Sequence, residues 1–442
     1  MTIRMDEGAA ELLDTLHRAG YAAYVVGGCV RDSLLGLTPY DWDLCTSALP
    51  QQGMELFGAE KCIPTGLQHG TVTVKQGGGL YEITTFRTEG AYTDGRHPDE
   101  VHFVPDVRED LARRDFTINA MAYNAKEGLI DPFGGQADLQ SGVLRAVGVP
   151  HQRFTEDALR ILRLYRFAAR FGFAIDPPTA QAAQELCAHL DCVSVERIEE
   201  ELAKLLSAPA PGAYLDEKIL SVVLPELSPE ALAAAKPVVD ACPAGERALP
   251  VRLAALLLSL GEDGTRRTLR RLRCSNACIE ETAVLVREVV SGVPGAFSSD
   301  TNRAIPSPAL LPAATGSHPS GRSSERLPAR PPVSLNIYTR KLLGQYGLKT
   351  VQRLAALGTA LQPEHAADFA ALSELAEQLD ADGVCCRVSQ LAVNGRDLMA
   401  AGVPAGPGIR KVLEALLDGV IREEYPNERQ ALLAAVQQLA AS

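Results

Sequence analysis

The chain has 442 residues and a formal net charge of −12. That length exceeds what one hydrophobic core usually organises, so several domains are expected. The acidic balance excludes a generally adhesive nucleic-acid coat protein, and no apolar run approaches the roughly 20 residues that cross a bilayer.

The N-terminus, "MTIRMDEGAAELLDTLHRAG", carries acids inside an amphipathic pattern and is neither a signal nor a transit peptide, so a cytoplasmic protein is expected. The spacing predicts a helix over residues 9–19, with Leu12, Leu13 and Leu16 on one face and Gly20 as its stop. "YAAYVVGG" reads as a buried strand ending in a turn. "DWDLCT", "TVTVKQ" and "LYEITTFR" alternate with period two, as strands do, and "VHFVPD" adds a short one. A mixed sheet with flanking helices therefore occupies roughly residues 20–150.

Beyond Phe154 the pattern turns helical. "TEDALRILRLYRFAARFGF" has a threonine cap, acids in its first turn, helical apolar spacing and Gly172 near its end. "SVERIEEELAKLLSA" starts with Ser194 as N-cap and puts Arg197 where a capping box has Glu. Helix and loop continue to about residue 290. Residues 291–333 are dominated by Pro, Ser, Gly and Ala without periodicity, which reads as a disordered linker or insertion. A last helical module follows, from about Leu335 to Ala441.

The 10 cysteines are scattered, and Cys29, Cys45 and Cys187 sit in apolar stretches where a free thiol behaves as a small hydrophobe. Cys274 with Cys278, and the Cys385–Cys386 pair, lack a second ligand pair at zinc spacing, so no structural zinc is expected. Residues 153–170 hold five arginines against two acids, and Thr265–Arg273 holds five arginines and no acid. One such run is ordinarily a solvated helix face. Two on an acidic chain point to a polyanionic partner.

The chemistry concentrates in "VVGGCVRDSLLGLTPYDWDLCTS". Asp41 and Asp43, two apart on a strand, project from the same face, with Trp42 turned the other way into the core. Paired carboxylates on a rigid strand suit two magnesium ions clamping a phosphoryl transfer. Gly27 and Gly28 just before them make a turn whose backbone N–H groups can approach a triphosphate, and Arg31 can neutralise its charge. This is neither a P-loop nor a dinucleotide fingerprint.

Gly-Gly, Arg-Asp and D-x-D, in that order and spacing, resemble the signature of the DNA polymerase β-like nucleotidyltransferases. "RRDFTINAMAYN" (Arg113 to Asn124), "DPFGGQADL" (Asp131 to Leu139) and "EDALRILRLYRFAARFGF" follow as in class II tRNA nucleotidyltransferases, a family shared with bacterial poly(A) polymerases. "VNGRDLMAAGVPAGPGIRKVLEALLDGVIREEYPNE" is similar to the tail of the Gram-positive type. The resemblance covers the chain apart from the linker.

The resemblance implies an α+β fold. Its head (residues 1–150) is polymerase β-like with a small mixed sheet. An all-α neck (151–210), body (211–290) and, after the linker at 291–333, tail (334–442) follow. It implies that Asp41 and Asp43 ligate two Mg2+ ions, and that Gly28, Arg31 and Arg114 contact the incoming nucleotide. Asp115 would meet a ribose hydroxyl or act as a supporting carboxylate. Asp157, Arg160, Arg163 and Arg166 would complete the nucleotide site. The loop Phe86 to Glu100 occupies the place of one needed for adding the terminal A.

Each three-residue step turns a helix by about 300°, so Asp157, Arg160, Arg163 and Arg166 lie on a band winding back about 60° per step. Glu156 and Asp157 are the only acids in that segment, so most of its arginines lack a partner on their own helix. Cytosine and adenine both present an amino donor beside a ring-nitrogen acceptor. A carboxylate with a guanidinium matches that pair and rejects uracil and guanine, each unpaired buried group costing about 1–3 kcal/mol.

The expected activity is template-independent addition and repair of the tRNA 3′-terminal CCA from CTP and ATP, releasing pyrophosphate. A-only addition, poly(A) polymerase and a non-catalytic RNA-binding protein are the alternatives. Poly(A) relatives usually carry a basic C-terminal extension, which this acidic tail lacks. The implied partners are the tRNA 3′ end with its acceptor and elbow region, ATP and CTP, with a homodimer as the assembly to test and no membrane.

Overall fold

The computed structural model describes residues 3–90, 101–290 and 335–441. Residues 91–100 of the polar loop and the whole linker at 291–333 lie outside the described residues. The chain divides into two compact units, Met1–Glu226 and Leu227–Ser442.

The first unit opens with α1 (Glu7–Arg18), β1 (Ala23–Val26), α2 (Gly28–Leu34), β2 (Leu44–Thr46) and α3 (Pro50–Phe57). Strands β3 (Cys62–Gly66), β4 (Thr71–Gln76) and β5 (Gly79–Thr85) follow, then β6 (Arg87–Glu89) and β7 (Val101–Phe103). Helix α4 (Val107–Ala112), strands β8 (Ala122–Asn124) and β9 (Gly128–Ile130) and α5 (Gly135–Ser141) complete the sheet-bearing part. Seven strands form one mixed sheet in the order β3-β4-β5-β2-β1-β8-β9, with β2 and β5 parallel and β1 antiparallel to both neighbours.

Local chemistry explains these elements. Asp6 caps α1 by accepting from the Gly8 and Ala9 N–H groups, and Gly20 leaves it at φ +89. Leu12, Leu13 and Leu16 are buried, each contributing about 1.5–3 kcal/mol. β1 is buried along its whole length. Tyr24 and Val26 from β1 join Cys45, Phe86, Leu111 and Ala122 in one core cluster, and this fixes the strand beside β2.

The structure corrects three expectations. The strand at "DWDLCT" begins only at Leu44, so Asp41 and Asp43 form its lead-in instead of lying within it. Trp42 is half-buried and does not reach the core. "VHFVPD" pairs with β6 in a separate two-stranded ladder, Arg87 opposite Phe103, instead of joining the main sheet.

Helices α6 (Pro150–Glu156), α7 (Leu159–Phe171), α8 (Pro177–Glu185), α9 (Val195–Leu206) and α10 (Glu217–Val223) end the unit. The helix read continuously from Thr155 is therefore two. Asp157 breaks it at φ −145, ψ 104, and its carboxylate accepts from the Leu159 N–H at 3.1 Å, starting α7 anew. Gly172 closes α7 in the left-handed conformation, φ 68.

The second unit is helical throughout its described residues, from α11 (Pro229–Ala241) to α20 (Arg429–Ala441). The second arginine run lies on its helix Gly261–Arg271. There Arg266 pairs with Glu262 at 3.0 Å and Glu280 at 2.5 Å, while Arg267, Arg270, Arg271 and Arg273 are exposed.

Candidate active site

The sheet ends β1 in the Gly27–Gly28 turn. The Gly27 N–H donates to the Met121 carbonyl and its φ is +76, a conformation side chains disfavour. A Cβ built on Gly27 would lie 2.8 Å from Nη1 of Arg114, so that guanidinium rests directly on the turn. Gly27→Ala should therefore lose on two counts, backbone strain of about 1 kcal/mol or more and displacement of Arg114. A lower Tm with a raised nucleotide KM is the expected outcome in melting and primer-extension assays.

Arg31, expected at the triphosphate, is turned inward. Its Nε donates to Asp32 at 2.8 Å and its Nη1 to Asn119 at 2.5 Å, and its guanidinium lies 5.2 Å and 5.0 Å from the rings of Phe167 and Phe171. In this arrangement it braces α2 against α7 and shapes the turn from behind.

Asp41 and Asp43 are both accessible to solvent. The Val26 N–H donates to the Asp43 carbonyl at 2.9 Å, tying the lead-in to the sheet. The Asp43 carboxyl opens to water yet stands deep among protein atoms. That crowding, then the Asp41 and Glu82 carboxylates, push it up to about 6 against the pull of Arg114. Glu82 was missed in the sequence. The parallel pairing of Leu44 with Ile83 sets it level with Asp43, a register that only the folded sheet reveals. Asp41 and Asp43, two residues apart and both open to solvent, offer the carboxylate oxygens a hard divalent cation takes, so this pair fits such an ion.

The "RRD" block is divided by direction. Arg113 donates to buried Asp110 at 3.0 and 2.8 Å, and Arg114 reaches the same carboxylate at 3.3 Å. Asp115 faces the other way. It accepts from the Phe116 N–H at 2.8 Å, from Asn119 at 3.0 Å and from Arg163 at 3.0 and 2.6 Å. Burial alone would raise this carboxyl, but Arg163 and Asn119 outweigh it and hold it far below the usual range. Both oxygens are engaged, which suits a supporting carboxylate.

The neck arginines find partners outside their own helix. Arg160 donates to Glu156 at 2.8 Å and to the carbonyls of Arg153 and Arg113 at 3.3 and 3.0 Å. Arg166 sits 2.7 Å from Glu201 and 3.8 Å over the Phe167 ring. Burial still pulls it to about 10 despite Glu201, with Arg163 adding to the fall.

Asp157 is gripped by Arg197, whose Nη2 and Nη1 lie 2.8 and 3.3 Å from its two oxygens. Asp157 and Arg160 are thus each held by other groups, not by each other. Arg197 had left a trace in the sequence: an arginine at the capping-box position, where Ser194 makes no side-chain cap.

The Poly A polymerase head domain matches residues 23–145, and tRNA nucleotidyltransferase domain 2 matches residues 336–436. The CCA-adding enzyme of Lactiplantibacillus plantarum is 36% identical over 435 residues, 97% of this chain and 95% of its own. That of Geobacillus thermodenitrificans is 34% identical, over 96% of this chain and 95% of its own. The crystal structure of the Bacillus stearothermophilus CCA-adding enzyme in complex with CTP is similar at TM-score 0.78 and 30% identity, covering 99% of this chain and 98% of that one. The Thermotoga maritima enzyme complexed with tRNA_CCA shares the fold, at TM-score 0.65 and 21% identity over 99% of this chain and 97% of that one. With its glycine turn, carboxylates and arginine-rich neck all in place along that full length, the chain belongs to the tRNA nucleotidyltransferase family of CCA-adding enzymes.

Proposed function

We propose that this protein adds and repairs the 3′-terminal CCA of tRNA from CTP and ATP, without a nucleic-acid template. The observation that carries the reading is the convergence of Arg114 on the Gly27–Gly28 turn, with Asp43 within its electrostatic reach. A triphosphate laid along the turn would meet Arg114 on one side and the Asp41–Asp43 carboxylates on the other.

Enzymes of this family generally use divalent metal ions, and here Asp41 and Asp43 would hold two Mg2+, with Glu82 adding negative charge beside them. Bound there, such ions would supply Lewis-acid activation of the RNA 3′-hydroxyl and charge neutralisation on the triphosphate. The hydroxyl attacks the α-phosphorus and pyrophosphate leaves. Gly28 lets the backbone approach the phosphates, Arg114 binds them, and Arg31 holds the turn in shape. Asp115 keeps Arg163 in place, and Arg163 and Arg166 supply the positive field. Asp157 and Arg160 read the Watson–Crick edge, Asp157 accepting from the amino group and Arg160 donating to the ring nitrogen once it leaves its carbonyl partners. We assign the head to residues 1–150, the neck to 151–210, the body to 211–290 and the tRNA-binding tail to 334–442.

The test is incubation with tRNA ending at the discriminator base, at –C or at –CC, each with one labelled nucleotide. CMP should enter the first two and AMP only the third. Incorporation of AMP alone, with the first two substrates inert, would make it an A-adding enzyme.

A further inference from the structure

Asp110 has no assigned part in the reaction, yet its carboxylate is wholly buried at the meeting point of three segments. It accepts from Nε and Nη2 of Arg113 at 3.0 and 2.8 Å, from Nη2 of Arg114 at 3.3 Å, and from the Arg87 backbone N–H at 3.3 Å. Arg87 begins β6, the strand leading into the polar loop. The two contacts to Arg113 already answer the charge of Asp110, so the longer one to Arg114 adds direction more than stability.

That direction has a consequence. The contact to Asp110 uses Nη2 of Arg114 and leaves Nη1 resting on Gly27. Nε of Arg114 is buried and has no hydrogen-bond partner. An arginine held by one corner, with Nη1 placed at a glycine turn, is preorganised for an incoming anion, because little side-chain freedom remains to be lost on binding.

We infer that Asp110 is a positioning residue: it orients Arg114 across the Gly27–Gly28 turn for the nucleotide triphosphate and sets the β6–β7 hairpin in register with that arginine. The inference rests on the reading of Arg114 as a phosphate ligand. Asp110 itself touches no substrate. Its ordinary alternative is a buried ion cluster that only holds the fold.

A double-mutant cycle separates the two, using the full-length protein, tRNA ending in –CC or –C, and ATP or CTP. Asp110→Asn should raise the KM for both nucleotides about tenfold with a smaller change in kcat, and Arg114→Ala should raise it at least as much. In the double variant the KM should match that of Arg114→Ala alone, since Asp110 acts through that side chain. Melting is followed for each protein. Asp110→Asn with Arg113→Gln, which removes one charge of each sign, keeps the test available if the single variant folds poorly; it should show the same raised KM.

Multiplication of the two effects in the double variant would make Asp110 purely structural and overturn the inference. So would an unchanged KM in the charge-balanced variant. If Arg114→Ala left the nucleotide KM unaltered while Asp110→Asn still raised it, both the phosphate role of Arg114 and the inference would fall. Continued entry of CMP and AMP would leave the overall activity standing.

Discussion

Asp41→Ala and Asp43→Ala are each expected to reduce nucleotide incorporation about a thousandfold or more, ~4 kcal/mol of transition-state stabilisation, with folding and tRNA binding kept. Both carboxylates are solvent-accessible and lie ahead of β2, outside the core formed by Tyr24, Val26 and Phe86, so neither holds the sheet. Their mutual repulsion even works against folding. Asp43 is raised in the folded protein to about 6 by crowding and by Asp41 and Glu82, so its charged form is disfavoured there relative to the unfolded chain. For an acid raised on folding, stability falls as pH climbs from about 3.8 through about 6 and stays lower above. Removing either carboxylate relieves that opposition, so in chelator at neutral pH the Tm of each variant should equal or exceed the parent's. This is the pattern of a site that keeps function at the expense of stability. Near-normal turnover of either variant in magnesium would sink the metal-binding assignment, and a large fall in Tm would show that the lead-in is structural.

The features legible in the sequence are those whose meaning is local. The Gly-Gly turn, the amphipathic face of α1 and the glycine stop of α7 depend on neighbours within a few residues, and each is where the spacing placed it. The register of Asp41 and Asp43 was misjudged because period two runs into Leu44 without showing where hydrogen bonding begins. The break at Asp157 was hidden because apolar spacing continues across it, although an aspartate that caps the next turn is a recognised competitor of helix interior. What could not be read at all is which charges meet. Arg163 finds Asp115, Arg166 finds Glu201, Arg197 finds Asp157, and Asp110 gathers Arg113, Arg114 and the Arg87 amide. Most of those partners are tens of residues apart, so they follow from the packing of α7 against α9 and of the head strands. The arginines that lacked an acid on their own helix are partnered by tertiary structure, Arg163 by Asp115, Arg166 by Glu201 and Arg170 by Asp32.

Asp157→Asn is expected to relax base choice. Each contact to the Watson–Crick edge is worth about 1–3 kcal/mol, so the preference for CTP over UTP and for ATP over GTP should fall roughly ten- to a hundredfold. The structure adds a second effect. In the parent, Oδ1 of Asp157 accepts from the Leu159 N–H, and Oδ2 lies 2.8 Å from Nη2 of Arg197. If asparagine keeps its oxygen on Leu159, its amide nitrogen replaces the oxygen facing Arg197, and two donors confront each other. The single variant should therefore melt lower than the parent. Arg197→Gln offers that amide an acceptor, so the double variant Asp157→Asn with Arg197→Gln should regain much of the lost Tm while its discrimination stays relaxed. Specificity and stability are then read separately, by kcat/KM for the four nucleotides on tRNA ending at the discriminator base or –CC, and by thermal melting. A variant that lost rate equally for all four nucleotides, and recovered it together with Tm when Arg197 was changed, would mark Asp157 as a helix-starting residue gripped by Arg197 and nothing more. Discrimination that stays relaxed after the fold is repaired is the outcome expected of a carboxylate that reads the base edge.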